Sequence, residues 1–286
     1  MKLSPQRKFK NLLFKFLLTL ASVSVLIPLI LIFNFLLQKG SMALSLDFFL
    51  NEPKPVGELG GGMAHAIVGS LTMVGLSALI SVPIGILCGV FLSEYRQGKI
   101  AAILKFTIDI LTGIPSIVIG IFSYLIFVVT MKSFSAWAGA FALSIIILPI
   151  VTRTTEEILK LIPKHVREAG LALGLPKWKV ILHIVLKGSK NSLITGVILA
   201  ISRASGETAP LLFTAFGSMY FSDKLTEPMA SLPVQIYNYA ISPYDDWQRQ
   251  AWAGAFTLIL ICLGLNISAR LFFKRKELKK FFVRKS

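Results

Sequence analysis

The stretch EAGLALGLPKWKVILHIVL, residues 168–186, interrupts a chain of 286 residues that is otherwise strongly apolar. It begins with Glu168-Ala169-Gly170, continues to Gly174 and ends in the apolar triplet Ile184-Val185-Leu186. Proline suits the first position of a helix, and glycine suits the position just beyond a helix end. We therefore predict a short helix from Pro163 to Gly174.

This predicted helix has one apolar face and is too short to stand alone. Residues at helical spacings form that face, namely Ile162, Val166, Ala169 and Leu173, while Lys164, Arg167 and Glu168 take other faces. The element is about 18 Å long, and an isolated helix of that length is not stable in water. It therefore needs a surface, either the membrane interface or a groove on a partner protein. The spacing of Glu168 and Gly174 favours the partner.

The composition excludes an ordinary soluble domain, because 55% of the residues are hydrophobic and the mean hydropathy is +0.73. A membrane-spanning helix needs about 20 apolar residues, and lipid offers no partner for bare backbone groups. Six runs meet this need: Phe16–Leu37, Ala64–Leu92, Ile103–Thr130, Phe134–Val151, Leu193–Phe213 and Trp252–Phe273. We expect Pro149 to end the fourth run. The sequence thus predicts an all-α, polytopic membrane protein with six transmembrane helices.

The distribution of positive charge predicts the orientation of these helices. Most of the 30 Lys and Arg residues lie in the two tails and in the loops that follow the second and fourth runs. Positive residues mark the cytoplasmic side, so both termini and the loop 152–190 are expected there. The net charge of +16 has this cause, and nucleic-acid binding is not expected. The first run exceeds the 7–15 apolar residues of a typical signal peptide, which favours an uncleaved anchor.

Several residues inside the runs are expected to modify the helices. Pro83 and Pro115 lie within predicted spans and are interpreted as kinks, as is Pro210. Gly85 and Gly89 form a small-xxx-small pattern that lets helices approach closely. The chain has no P-loop, its three His residues form no metal-ligand cluster, and no nucleophile–base set is apparent. We expect no catalytic residues, no metal site and no cofactor bound by this chain.

Arg203 lies inside the fifth apolar run and needs an explanation. An arginine at the centre of a span is unfavourable by about 2.5–3.5 kcal/mol. Glu207 follows four residues later, so on a continuous helix the two side chains would share a face and pair. They are either a structural ion pair facing the bundle interior or part of a water-accessible path in which Arg203 compensates an anion. We favour the path, because bare hydrocarbon opposes an anion by tens of kcal/mol.

Three segments resemble PstA-type permeases of phosphate ABC importers: AISRASGETAPLLFT at 200–214, TGIPSI at 112–117 and SLPVQIY at 231–237. The stretch 168–186 resembles the cytoplasmic EAA loop of ABC importer permeases. Gly170 stands where that loop usually has alanine, and Lys187 where proline is common. The similarity extends over about residues 61–273. It implies the type I ABC importer permease fold and the import of inorganic phosphate by alternating access.

The resemblance also implies roles and partners. Arg203, Glu207 and Thr208 would belong to the substrate pathway, and Glu168, Ala169, Gly170 and Gly174 would dock on an ATPase. The expected partners are a second, related permease, two ATPase subunits that use ATP and Mg²⁺, and an extracytoplasmic phosphate-binding protein, all at the bacterial inner membrane. The chain then divides into a basic cytoplasmic tail 1–15, a first helix with outer loop 16–63, a permease domain 64–273 and a second basic tail 274–286.

Other interpretations remain open. An ion-coupled secondary anion transporter would use Arg203 and Glu207 for proton coupling and would need no docking loop. A permease of the same superfamily for sulfate, molybdate or an organic solute would keep the fold and change the substrate. The outer loop Gly217–Gln250 combines acidic, apolar and aromatic residues. We interpret it as a short interfacial helix that caps the path or meets an external partner, or else as a packed connector.

Overall fold

The computed structural model describes residues 5–55, 58, 60–95 and 97–283, with the side chains of Gln6 to Ser268 within those ranges. The predicted basic tails therefore lie partly outside the described residues. The described part is all helical and contains no strand. Its helices are α1 Pro5–Ala43, α2 Leu46–Leu50, α3 Ala64–Glu94, α4 Lys99–Gly113, α5 Ser116–Ser123, α6 Val129–Met131, α7 Ala136–Lys160, α8 Lys164–Ala172, α9 Lys177–Lys179, α10 Lys187–Ala204, α11 Ala209–Thr214, α12 Leu232–Ala240 and α13 Asp245–Val283. Two π-helical segments, Tyr124–Val128 and Val180–Leu186, join α5 to α6 and α9 to α10.

Five stretches are helical, long and apolar enough to cross a membrane: Gln6–Ala43, Ala64–Glu94, Ala136–Lys160, Lys177–Ala204 and Asp245–Ser268. The pair Lys99–Gly113 and Ser116–Met131 makes a sixth span if its two halves, bent by 103°, are counted together. The predicted all-α, six-span architecture is therefore confirmed with one span broken. The apolar surfaces that these helices expose suit lipid or a further membrane subunit.

Helices α3 and α7 pack against each other at the centre of the bundle. A Cβ atom on Gly85 would lie 2.9 Å from Val151 Cβ, and one on Gly89 would lie 2.5 Å from Thr155 Cβ. Only glycine allows so close an approach, which confirms the packing role predicted for this pair. Helix α7 is the most enclosed of the five single-helix spans, because 67% of its most apolar stretch of 18 residues is buried. The two helices thus form the rigid core of the protein.

Proline acts differently from the prediction in two of the spans. Pro115 does not lie inside a helix: it stands between α4 and α5, where the chain turns sharply. The predicted third span is therefore two helices, since Pro115 provides no N–H for a helical hydrogen bond. Pro149 does not end the fourth span, because α7 continues through it to Lys160 and packing against α3 supports the helix. Pro83 lies within the unbroken helix α3.

The predicted fifth span is wrong at both ends. The helical stretch begins earlier, at Lys177, and it ends at Ala204 rather than continuing to Phe213. Four residues without helical structure follow, and Pro210 then occupies the first turn of the short helix α11. Pro210 therefore starts a helix and does not kink one, in keeping with its fixed φ and missing N–H. A Cβ on Gly120 would lie 2.7 Å from Pro210 Cα, so α5 and α11 meet in close contact.

Helix α1 lies at the edge of the bundle. Among the described helices, α13 is the one on which it packs extensively. Gly40 approaches Phe256, and the rings of Phe35 and Trp252 meet edge to face with centroids 5.0 Å apart. The outer loop contains the predicted short helix, α12, and it is well packed. The rings of Tyr239 and Trp247 stack with centroids 4.6 Å apart. The loop is therefore packed against the helical bundle.

Candidate functional site

The predicted cytoplasmic helix exists and ends as its sequence requires. Pro163 is extended and directly precedes α8, and Gly174 has φ +79° just beyond its end. The N–H of Leu175 donates to the carbonyl of Gly170 at 3.3 Å, and the N–H of Gly174 donates to that of Leu171 at 2.9 Å. These two bonds form a Schellman motif, which satisfies carbonyls at the end of the helix. The left-handed backbone conformation at this position of the motif favours glycine.

The apolar face of α8 is predicted to lie on a partner groove or on the membrane interface, and part of it is exposed in this chain. Ala169 and Leu173 are exposed, and the buried residue is Gly170. A Cβ on Gly170 would lie 2.7 Å from Ile184 Cδ1 and 3.0 Å from Val180 Cγ2. The helix therefore lies against the π-helical segment Val180–Leu186 because Gly170 has no side chain. Glu168 and Ala169 are left on the outward surface.

Arg167 is a residue whose role the sequence analysis missed. It was assigned to a face turned away from the apolar one, yet only 15% of its side chain is exposed. Its guanidinium pairs with Glu94 at the end of α3, at 2.9 Å. No periodic pattern could show this, because Glu94 lies 73 residues away in the sequence.

The structure does not join Arg203 and Glu207. Arg203 is exposed in the last turn of α10, and Glu207 is half-buried in the break that follows. No ion pair within 4.0 Å forms between them in the part of the chain that the structure describes. The predicted pair requires a continuous helix. Because α10 ends at Ala204, residues 203 and 207 do not share a helix face. Thr208 lies at the start of α11.

The neighbouring residue Ser202 fixes the end of α10 against α13. Its Oγ accepts a hydrogen bond from Nδ2 of Asn266 at 3.3 Å, and its carbonyl accepts a weaker one from the thiol of Cys262 at 3.6 Å. Interhelical hydrogen bonds of this kind hold helices together in lipid. Arg203 is therefore presented by an anchored helix end.

A second set of charges, also missed from the sequence, joins α4 to α7. Arg153 forms ion pairs with Asp109 of α4 and, at 3.4 Å, with Glu156. Glu156 is only 3% exposed and also accepts a hydrogen bond from Lys160. The i, i+3, i+7 spacing of the α7 residues was a helical signal. It was assigned to a loop because Pro149 was expected to end the helix. Among the described residues, no group of three His, Cys, Asp or Glu residues is placed to hold a metal ion.

Comparison with known proteins is consistent with this architecture. Residues 81–278 match the family described as "Binding-protein-dependent transport system inner membrane component". The chain is 48% identical over 276 residues to the "Phosphate transport system permease protein PstA" of Pasteurella multocida, a match covering 95% of this chain and 97% of the relative. The protein of the same name from Haemophilus influenzae is 47% identical over 268 residues, covering 92% and 94%.

Solved structures of ABC importers share the fold. A chain of the methionine transporter MetNI, in an inward-facing conformation, superposes with a TM-score of 0.61 at 16% identity, covering 74% of this chain and 95% of that one. A chain of a bacterial alginate transporter gives 0.58 at 16% identity, covering 96% and 98%. At such low identity these superpositions establish the fold alone, and that fold is the one of type I ABC importer permeases. The family match and the identity to permeases over nearly the whole chain show that this protein belongs to the binding-protein-dependent transport system inner membrane component family.

Proposed function

We propose that this chain is one permease subunit of an ATP-driven importer that moves inorganic phosphate into the cytoplasm by alternating access. The observation that carries the proposal is the 48% identity, over 95% of this chain, to a phosphate transport permease. The fold shared with ABC importer chains supports the class of machine. The second interpretation of the sequence, an ion-coupled carrier that works alone, is weaker because the chain shares its fold with ABC transporter chains.

The surface around α8 supports docking of a separate ATPase. Glu168 and Ala169 face outward, and several large apolar side chains near them are exposed, with Leu173 at 83% and Trp178 at 56%. Apolar side chains at the cytoplasmic end of a membrane protein gain by being covered with a partner groove. In this proposal the ATPase covers that surface, Gly174 holds the turn behind it, and ATP and Mg²⁺ are used by the ATPase.

The end of α10 supports a role for Arg203 in an anion path. Its guanidinium is exposed and forms no ion pair with another described residue. A cation without a fixed counter-charge can attract an oxyanion and release it again, whereas a permanently paired one attracts it less. Glu207 and Thr208 lie in the break beside it. We assign Arg203 to transient compensation of the anion, and the two neighbours to the polar lining of the same path.

The remaining parts of the proposal concern assembly and location. A second, related permease would cover the exposed faces of the spans and complete the path. Two ATPase subunits would bind at the cytoplasmic side, and an extracytoplasmic phosphate-binding protein would deliver the ion. The chain would lie in the bacterial inner membrane with both termini in the cytoplasm, because the positive residues concentrate on that side.

Transport by the purified complex tests the proposal. The complex is isolated from its native membranes through a tag on this chain and reconstituted in vesicles, with radiolabelled phosphate and the phosphate-binding protein outside. An ATPase should co-purify, and uptake should require ATP on the side of α8. Uptake driven by an ion gradient alone, or uptake of sulfate in preference to phosphate, would contradict the proposal.

Arg203→Gln tests the assigned path in the same vesicles. We expect uptake to be lost while the complex still assembles, because glutamine is a polar side chain without charge and position 203 is exposed. Lys190→Gln is a matched control, since it removes a cation from an exposed position on the same helix. Normal uptake by Arg203→Gln, or an equal loss in the control, would remove Arg203 from the path.

A further inference from the structure

Arg167 lies where three helices meet, and all of its polar groups are used there. Its Nε donates to Glu94 Oε1 at 2.9 Å, its Nη1 to the carbonyl of Ile162 at 2.6 Å and its Nη2 to the carbonyl of Leu159 at 2.8 Å. Glu94 is the last residue of α3, Leu159 lies in the last turn of α7, and Ile162 follows two residues after the end of α7. One side chain of α8 therefore binds the cytoplasmic ends of both core helices.

The charges at this junction suit one another. The carbonyls at the end of a helix carry partial negative charge, which favours a cation and disfavours an acid. Glu94 stands at such an end, so without a cation it would be poorly placed. Arg167 offsets both the carboxylate and the carbonyls of α7, and only 7% of the Glu94 side chain is exposed. Lysine could keep the charge but not the fork of N–H groups that reaches three acceptors.

We call residues 163–179, which contain α8, Gly174 and α9, the docking segment. A second contact joins the C-terminal part of this segment to the same end of α3. The Lys177 ammonium at the start of α9 lies 3.9 Å from the centroid of the Tyr95 ring, a cation–π contact. Tyr95 directly follows Glu94 and stacks on Phe91, with ring centroids 5.3 Å apart. The adjacent residues Glu94 and Tyr95 thus hold the helices on both sides of Gly174.

We infer that Arg167 is a positioning residue that makes α8 move as one body with α3 and α7. The inference rests on the proposed function, in which an ATPase docks on the outward face of α8. A displacement of α8 by that ATPase would be carried through Arg167 to the ends of α3 and α7. The close contacts at Gly85 and Gly89 would then carry it along both helices. Arg167 would touch neither phosphate nor nucleotide.

This role predicts a separation of ATP hydrolysis from transport. In Arg167→Met the complex should still assemble and hydrolyse ATP, because the outward residues Glu168 and Ala169 are unchanged. The phosphate imported per ATP hydrolysed should fall about tenfold, which is within the usual range of coupling between two sites. Arg167→Lys should lie between wild type and Arg167→Met, since it keeps the pair with Glu94 and loses the bonds to the carbonyls.

A change of charge guards against a purely structural explanation. Here the charge is changed on the partner Glu94 alone: Glu94→Arg should place two cations together and abolish coupling, whereas Glu94→Gln, which keeps an oxygen that can accept from Nε of Arg167, should retain part of it. Lys190→Met is the matched control, because it removes an exposed cation that lies outside α8 and forms no ion pair with another described residue. Its transport per ATP should equal that of wild type.

The experiment uses the complex purified through a tag on this chain, with ATP hydrolysis and phosphate uptake measured in the same vesicles. Failure of the wild-type complex to contain an ATPase or to import phosphate would refute the proposed function and this inference with it. If the wild type is active, Arg167→Met that imports phosphate in normal proportion to ATP refutes the inference alone. Arg167→Met and Arg167→Lys that both fail to assemble also refute it, because Arg167 would then serve folding only.

Discussion

Gly174 offers the sharpest test of how the docking segment is built. Its φ of +79° is one that side-chain-bearing residues rarely adopt, yet a Cβ atom added to it would have no atom within 4 Å. A substitution there therefore changes the backbone energy without a clash inside this chain. The effect should follow the tolerance of each residue for the left-handed region and not its size.

The expected magnitudes follow from that conformation. An ordinary L-residue in the left-handed region is unfavourable by about 1–2 kcal/mol, and asparagine by less. Gly174→Ala should lie near the lower value, and Gly174→Val, which is β-branched, near the upper one. If the turn opens to relieve this strain, α8 spends less time in its docking position. The apparent affinity for the ATPase then falls by the matching factor, about 5-fold to 30-fold.

The assay is the binding of purified ATPase to vesicles that contain this chain and its permease partner. The predicted order of affinity is wild type, Gly174→Asn, Gly174→Ala and Gly174→Val. Gly188→Val is the matched control, because Gly188 also has open space around it and lies in α10 without a positive φ. That variant should bind normally, since valine is no worse than glycine within a helix.

Two results would refute this reasoning. If Gly174→Asn binds as poorly as Gly174→Val, the partner surface must exclude any side chain, and backbone strain is not the cause. If all three variants bind like wild type, the turn does not control docking. In either case the Schellman motif would lose the role assigned to it.

Three further outcomes follow from the packing and are measured by thermal unfolding of the purified complex. Gly120→Ala should destabilise it by about 1–3 kcal/mol, because the added Cβ would press on the backbone of Pro210, whereas Gly113→Ala, with no atom within 4 Å, should not. Glu156→Gln should destabilise it by about 1–3 kcal/mol, because Lys160 would lose its carboxylate partner and Arg153 would lose one of its two carboxylate partners. An unchanged midpoint of thermal unfolding would contradict this network of ion pairs. Tyr239→Phe should be neutral or stabilising at pH 7, because the buried hydroxyl has no hydrogen-bond partner among the described residues. Burial raises the pKa of the Tyr239 phenol; stability should therefore fall as the pH rises above about 10 in wild type, and less in the variant.

The docking segment shows which features of a helix can be predicted from the sequence and which cannot. Pro163 and Gly174 bracket the helix as predicted, because helix ends depend on the conformations of a few adjacent residues. Periodicity reports which residues share a face, but it does not show that α8 contacts the rest of this chain through Gly170. Gly170, which stands where the EAA loop usually has alanine, permits a close contact with Ile184 and Val180.

The charged residues show the same division. Arg203 was recognised because an arginine in an apolar run is conspicuous by itself. Its expected partner depended on a continuous helix, and the chain breaks between Ala204 and Ala209. Arg167 and Glu94 were not paired in advance, because nothing local to either residue indicates the other. Their roles in transport remain predictions for the experiments above.

Composition and hydropathy, which act residue by residue, determined that this chain is an all-helical membrane protein with about six spans, and the positions of its basic residues predict which side is cytoplasmic. Local backbone preferences determined where α8 ends. Where the third and fifth spans break, which face of α8 is buried and which charges meet are set by contacts between segments far apart in the sequence. Those contacts compete with local preference through close packing and buried charge, so only the tertiary structure decided them.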